Sequence, residues 1–232
     1  MTAPQPADPH PADIVTWIAE IIEDVFTPLE SLRQDLITCH RSADHQLTCK
    51  DLASIRPRVV DWLSSQELVI GAGAIIAPGL LADQPRRLEW WSGRPDPVFL
   101  DVDLNPESLD FYDYACAEWF REPRTTGRRH ITGPHVDFGG TDSYILTFTV
   151  PVYSQESFLG VVGADILAAH LESRLLPVLI SLDYEVVLLN AERRVITSTT
   201  PHRPSGTLCA LPDQGHSLPD SPWRLLCSPG PR

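Results

Sequence analysis

No stretch of this sequence is long and apolar enough to cross a bilayer. The longest apolar run, Leu68–Ala82, is broken by Gly71, Gly73, Pro78 and Gly79, and a membrane helix needs about 20 apolar residues. Cysteine is scarce. Cys39, Cys49, Cys116, Cys209 and Cys227 are odd in number and irregular in spacing, which does not fit a disulfide framework and predicts reduced thiols. The opening MTAPQPADPH has no basic stretch followed by an apolar one, so a secretory signal is not expected. Together these features lead to the expectation of a cytoplasmic chain. Basic residues are outnumbered, 18 Lys and Arg against 31 Asp and Glu, for a net charge of -13. Such a surface repels phosphate backbones and anionic lipid, so neither nucleic acid nor a membrane surface is an expected partner.

Catalytic signatures are missing as well. Gly71 and Gly73 follow a strand-like segment, but no third glycine opens a helix after them, so a dinucleotide fingerprint is absent. No Gly-x-Ser-x-Gly elbow occurs. Cys39, His40, His45 and Cys49 crowd one short stretch, yet their spacing is not that of a structural zinc site, and a polar loop is the plainer reading. Asp101, Asp103, Asp110 and Asp113 read as a solvated acidic loop. Neither a cofactor nor a metal is expected.

What is present is a mixed pattern. Ile14, Trp17, Ile18, Ile21, Ile22 and Val25 recur at helical spacing, and Leu29, Leu32, Leu36 and Ile37 continue the stripe, predicting a helix over 12–40. Pro28 should kink or interrupt it. A second helix is expected over 52–65. Strands are expected at 68–70, 74–76, 86–91 and 98–102, with Gly71 and Gly73 separating the first two. The aromatic stretch 110–120 has a helical face, which Pro123 and Gly127 should end. Three strands follow at 130–133, 143–153 and 157–166, the first two joined by a hairpin over 137–142. A helix over 167–180, a hairpin from 185–189 to 194–199 and a last strand at 223–227 complete the pattern. This is α+β: a long leading helix on a central antiparallel sheet, then a small helix-hairpin unit. The expected domains are 10–168 and 169–232.

Four segments carry a family resemblance. They are DFYDYACAEWFREP (110–123), ITGPHVD (131–137), ILTFTVPVY (145–153) and FLGVVGADI (158–166). In combination they resemble the Cache sensor domain, a PAS-like fold, across roughly 68–167. LLNAERRVITST (188–199) resembles the opening hairpin of a partial second module. The resemblance implies a small-molecule sensor and not an enzyme, with a ligand pocket on one side of the sheet. In amino-acid-sensing members that pocket uses a Tyr, an Arg, an aromatic pair, a later Tyr and a final Asp. Carried over, these fall on Tyr112, Ala117, Trp119 with Phe120, His135 and Asp165. Tyr114 is the alternative to Tyr112, and Trp91 is a further candidate from the 86–91 strand.

These residue types suit a cation. A carboxylate accepts charge-assisted hydrogen bonds from an ammonium group, and aromatic faces attract it. Ala117 stands where the arginine belongs, and a guanidinium is the natural clamp for an α-carboxylate. The expected ligand is therefore an amine, a quaternary ammonium compound or an amino-acid-like metabolite, unless Arg94, Arg121 or His135 replaces the clamp. Asp165 has a second reading as the cap of the following helix, and Trp119 and Phe120 as ordinary core aromatics. Signalling is expected through a regulatory protein partner or a homodimer formed along the leading helix. The competing readings are an enzyme using His135 and Asp165, and a non-binding dimerisation module.

Overall fold

In a computed structural model the described residues are 10–43, 46–138, 140–210 and 215–229. His45, from the metal quartet considered above, and Gly139, from the expected hairpin, lie outside them. The chain divides into two compact units, one of residues 25–167 and one of residues 1–24 with 168–232. Among the described residues, no helix is long and apolar enough to cross a membrane, and no cluster of His, Cys, Asp and Glu is placed to hold a metal.

Helix α1 (Pro11–Ser42) runs on through Pro28 without interruption, contrary to expectation. The apolar stripe explains this. Val25, Phe26, Leu29 and Leu32 are buried on both sides of the proline, so packing keeps the helix continuous where one backbone donor is missing. The short α2 (Cys49–Leu52) starts at Thr48, whose backbone N–H and hydroxyl both donate to the Asp51 carboxylate. It leads through a single tight turn into α3 (Arg56–Ser65), which buries Val59 and Leu63.

The larger unit is organised on a six-stranded antiparallel sheet. Its strands are β1 (Val69–Ile76), β2 (Arg87–Ser92), β3 (Val98–Phe99), β4 (His130–Val136), β5 (Tyr144–Ser154) and β6 (Ser157–Leu167), in the order β3-β2-β1-β6-β5-β4. The two expected segments around Gly71 and Gly73 are one strand, β1. The glycines do not break it. They allow neighbouring groups to approach closely: a Cβ on Gly73 would overlap the Glu89 carbonyl oxygen, and one on Gly71 would lie 2.8 Å from Trp90 Nε1.

Alternation assigns the two faces. Ala72, Ala74, Phe148, Ala164 and Ile166 point one way, toward the helices; Phe26 of α1 packs on Phe148 with ring centroids 5.3 Å apart. Gly71, Gly73, Ile75, Trp90, Thr147, Val161, Gly163 and Asp165 point the other way. That second face is covered by the segment 100–117 and by helix α4 (Glu118–Thr126), which contacts β4, β5 and β6.

The 110–120 stretch is less helical than its pattern predicts. Only Tyr114–Cys116 forms a 3-10 turn before α4 begins at Glu118. The Tyr112 N–H instead bonds the Asp103 carbonyl at 2.7 Å, so its backbone donor is used across the loop and not within a helix. Pro123 lies inside α4, and Gly127 ends the helix in the left-handed region at φ 67°, as a C-terminal glycine does.

In the smaller unit, helix α5 (Ala168–Leu179) precedes a four-stranded sheet of β7 (Tyr184–Leu189), β8 (Val195–Ser198), β9 (His216–Ser217) and β10 (Arg224–Pro229), in the order β8-β7-β10-β9. Val187, Leu189, Val195, Cys209 and Leu226 form a buried cluster there.

The Gly73 contact is with backbone, which cannot swing aside. Gly73→Ala should therefore destabilise the protein by about 3 kcal/mol. Gly79 sits at φ 78° with open space around it, so Gly79→Ala should cost only the left-handed penalty of about 1 kcal/mol. Urea denaturation midpoints of the two variants against wild type measure the difference.

Candidate functional site

The glycine-rich face of the sheet has a consequence for Trp90. With hydrogen in place of side chains at Gly71, Gly73 and Gly163, the indole lies down on the strands. A Cβ on Gly163 would meet Trp90 Cζ3 at 3.4 Å, and one on Gly71 would meet Nε1 at 2.8 Å. Trp90 joins Ile75, Leu88, Val161, Trp119, Phe120 and Tyr114 in one buried cluster. Beside the indole the packing leaves a small cavity. Ile75, Leu88, Trp90, Leu100 and Trp119 form its apolar wall, and Tyr112, Asp137, Thr147 and Asp165 its polar one. Its volume is about 20 Å³, room for one water molecule.

Asp165 is the deepest polar group. It stands on β6, between Gly71 of β1 and Thr147 of β5 in the strand register. The Thr147 hydroxyl donates to its Oδ1 at 2.8 Å. Burial raises its pKa to about 8, the Thr147 hydrogen bond lowers it in part, and the Asp137 charge raises it further. At neutral pH the Asp165 side chain is therefore mainly the neutral acid.

Asp137, at the end of β4, is the second acid. It is buried and well supplied with donors. Tyr112 Oη donates to Oδ1 at 2.9 Å, and the Thr141 N–H donates to Oδ2 at 2.8 Å. Burial first, and then the Asp137 charge, push the Tyr112 hydroxyl far above its ordinary range, so it stays a donor. The Tyr112–Asp137 bond ties the 100–117 segment to the β4–β5 turn. None of the described residues that line the cavity is Lys, Arg or His.

The structure thus brings together Tyr112, Trp119 and Asp165 around one cavity. Other candidates lie elsewhere. Trp91 is on the helix side of the sheet, edge-on to Phe99 at 5.7 Å, because it neighbours Trp90 on a strand and must face the opposite way. Tyr114 is core: it is 1% exposed, and its hydroxyl donates to the Ile76 carbonyl at 2.8 Å. Phe120 is fully buried against Tyr114, Trp119 and Phe158. His135 is half-buried and does not line the cavity; its own burial lowers its pKa, opposed by the Asp137 and Glu118 charges. Neither Arg94 nor Arg121 lines it either.

Trp90, Asp137 and Thr147 were not among the candidates. Strand alternation opposite two glycines is the signal for Trp90. No local pattern marks Asp137, which reads as a hairpin residue until Tyr112 is seen to reach it.

Residues 59–173 match the family model for the methyl-accepting chemotaxis protein-like, first PDC sensor domain. No curated protein matches the chain in sequence. Among solved structures, a methyl-accepting chemotaxis protein X is 16% identical, with 94% of each chain covered and a TM-score of 0.67. The ligand-binding domain of the Pseudomonas aeruginosa amino acid chemoreceptor PctC, solved with GABA, is 19% identical over 93% of this chain and 94% of that one, with a TM-score of 0.59. The ligand-binding domain of a Campylobacter jejuni chemoreceptor, solved with L-norvaline, is 14% identical over 83% of this chain and 69% of that one, with a TM-score of 0.55.

The raised Asp165 pKa makes stability depend on pH. The folded state holds this proton more tightly than the unfolded chain, so the contribution is complete below the ordinary value of 3.8 and is lost as pH rises toward about 8. Asp165→Asn keeps an acceptor for Thr147 and removes the titration. Calorimetry should find the variant and wild type melting together near pH 4, with the variant melting several degrees higher at pH 8.

Proposed function

From the premise that residues 59–173 form a PDC (Cache-type) sensor domain of the chemoreceptor-like family, we propose that this chain senses a small organic amine. The observation that carries this reading is the charge of the cavity. Two carboxyl groups, Asp137 and Asp165, face a space bordered by two indoles and a tyrosine, with no basic side chain among the described lining residues. A ligand carboxylate would find no counter-charge there, whereas an ammonium group would find two acids and aromatic faces. The PctC and Campylobacter domains were solved with GABA and L-norvaline, both of which carry an amino group. Likeness to them supports the ammonium half of the recognition, and Ala117 in place of the expected arginine argues against the carboxylate half.

An ammonium beside Asp165 favours its ionised form. Binding would then release a proton, and affinity would rise with pH up to about 8, the value to which burial raises Asp165. The cavity as it stands has room for one water, so entry requires the 100–117 segment to move outward with Leu100 and Tyr112. The Tyr112–Asp137 hydrogen bond, 2.9 Å long, is the latch that such a movement breaks, and closure over a ligand is the signal we propose. Output through a regulatory protein partner, or through a second copy packed along α1, belongs to the same proposal. So does the cytoplasmic location, which is supported by five cysteines that are all free thiols. The enzyme alternative needs His135 beside Asp165, and His135 does not line the cavity.

Thermal-shift screening tests the reading. Small primary amines should raise the melting temperature because they bind only the folded state, and glycine should not. Asp165→Asn should reduce the shift at least tenfold in effective ligand concentration while the variant remains folded. Stabilisation by amino acids but not by simple amines would sink it.

A further inference from the structure

We infer that the Trp90 indole N–H is a specificity determinant of this site, and that it selects an amine carrying a neutral oxygen acceptor over an amine without one. The inference rests on the amine reading above and names the class of ligand more narrowly.

Trp90 is 4% exposed, and its Nε1 has no hydrogen-bond partner among the described residues. A buried donor left unpaired is costly, and native structures rarely keep one without a reason. The reason here is its position. Nε1 lies over Gly71, since a Cβ on that residue would come within 2.8 Å of it. The register partner of Gly71 on β6 is Asp165. The nitrogen edge of the indole therefore lies along the row that holds the buried acid, and the ring itself borders the cavity.

The site thus presents two acids that want a cation and one N–H that wants an acceptor. A simple alkylamine satisfies the acids and leaves the N–H bare. A carboxylate on the ligand would satisfy the N–H but would sit beside Asp137 and Asp165 with no basic side chain among the described lining residues to offset it. A hydroxyl or amide oxygen a few bonds from the ammonium satisfies both demands without adding charge. Amino alcohols and amino amides fit this description. Sites built to hydrogen-bond a ligand group discriminate against analogues that lack it, because the protein group is then left unpaired.

Isothermal titration of ethanolamine and n-propylamine tests this, since both are primary amines of four heavy atoms. Ethanolamine should bind about tenfold more tightly to the wild-type protein, a difference of ~1.4 kcal/mol. Trp90→Phe keeps an aromatic surface and removes the N–H, so the ratio of the two affinities should fall to near unity, whatever loss the smaller ring causes to both amines alike. Should that variant not fold, the wild-type protein still answers by nitrogen-15 NMR. The Trp90 indole N–H proton should move downfield with ethanolamine and not with propylamine. Equal binding of the two amines, or a preference that survives Trp90→Phe, overturns the inference and leaves the amine reading standing. Binding of neither amine overturns the amine reading, and this inference with it.

Discussion

A carboxyl group buried in the middle of a sheet constrains everything around it. Asp165 stands on β6, flanked by β1 and β5, with one side-chain hydrogen bond, from Thr147 at 2.8 Å. Burying a charge so lightly solvated is expensive, so the group must either hold its proton or meet a cation. In the closed cavity it holds its proton. That choice accounts for the rest of the wall. None of the described residues that line the cavity is basic, so none of them compensates the acid. Asp137 lies in the same cavity, but it is held by Tyr112 and Thr141 and belongs to the closing segment more than to the sheet.

The sheet accommodates this arrangement by giving up side chains. Gly71, Gly73 and Gly163 occupy positions where a central strand ordinarily carries branched residues. The packing lost there is returned by Trp90, whose indole lies across them and carries the contacts of several smaller side chains at once. The same placement strands its N–H without a partner. One set of glycines therefore shapes both the aromatic floor of the cavity and an unanswered donor at its edge. A larger residue at Gly71 would press on the nitrogen edge of the indole, and one at Gly73 would collide with the backbone of β2 beneath it.

The opposite face shows how differently the two sides of one sheet are used. Ala72, Ala74 and Ala164 face the helices, α3 contacts β1 and β2, and Phe26 of α1 meets Phe148 there. This is ordinary packing, indifferent to ligand. The site occupies the other side, where a short helix and a loop of partly exposed residues form the cover. The loop is tied to the rest of the unit by hydrogen bonds from Tyr112 to Asp137 and from Tyr114 to the Ile76 carbonyl, and the first of these reaches the cavity itself.

Much of this was legible in the residues alone. Ile14 through Leu36 announce the long helix by spacing. The run from Tyr144 to Val152 announces a buried strand, and FLGVVGADI carries the family resemblance and its acid. Periodicity and local composition are properties of neighbours in sequence, and they determined the helices and most of the strands, whereas Asp165, Tyr112 and Trp119 became candidates through the family resemblance. Tertiary structure decided which aromatic of each adjacent pair faces the cavity. Trp90 and Trp91 differ by a single step along one strand, and only the pairing of β2 with the glycines of β1 says which side each takes. It also decided that Tyr114 belongs to the core, that His135 stands outside, and that Asp137 joins Asp165. Those outcomes depend on contacts between segments tens of residues apart, and a hydrogen bond across such a distance leaves no trace in the local pattern that a reader of sequence can follow.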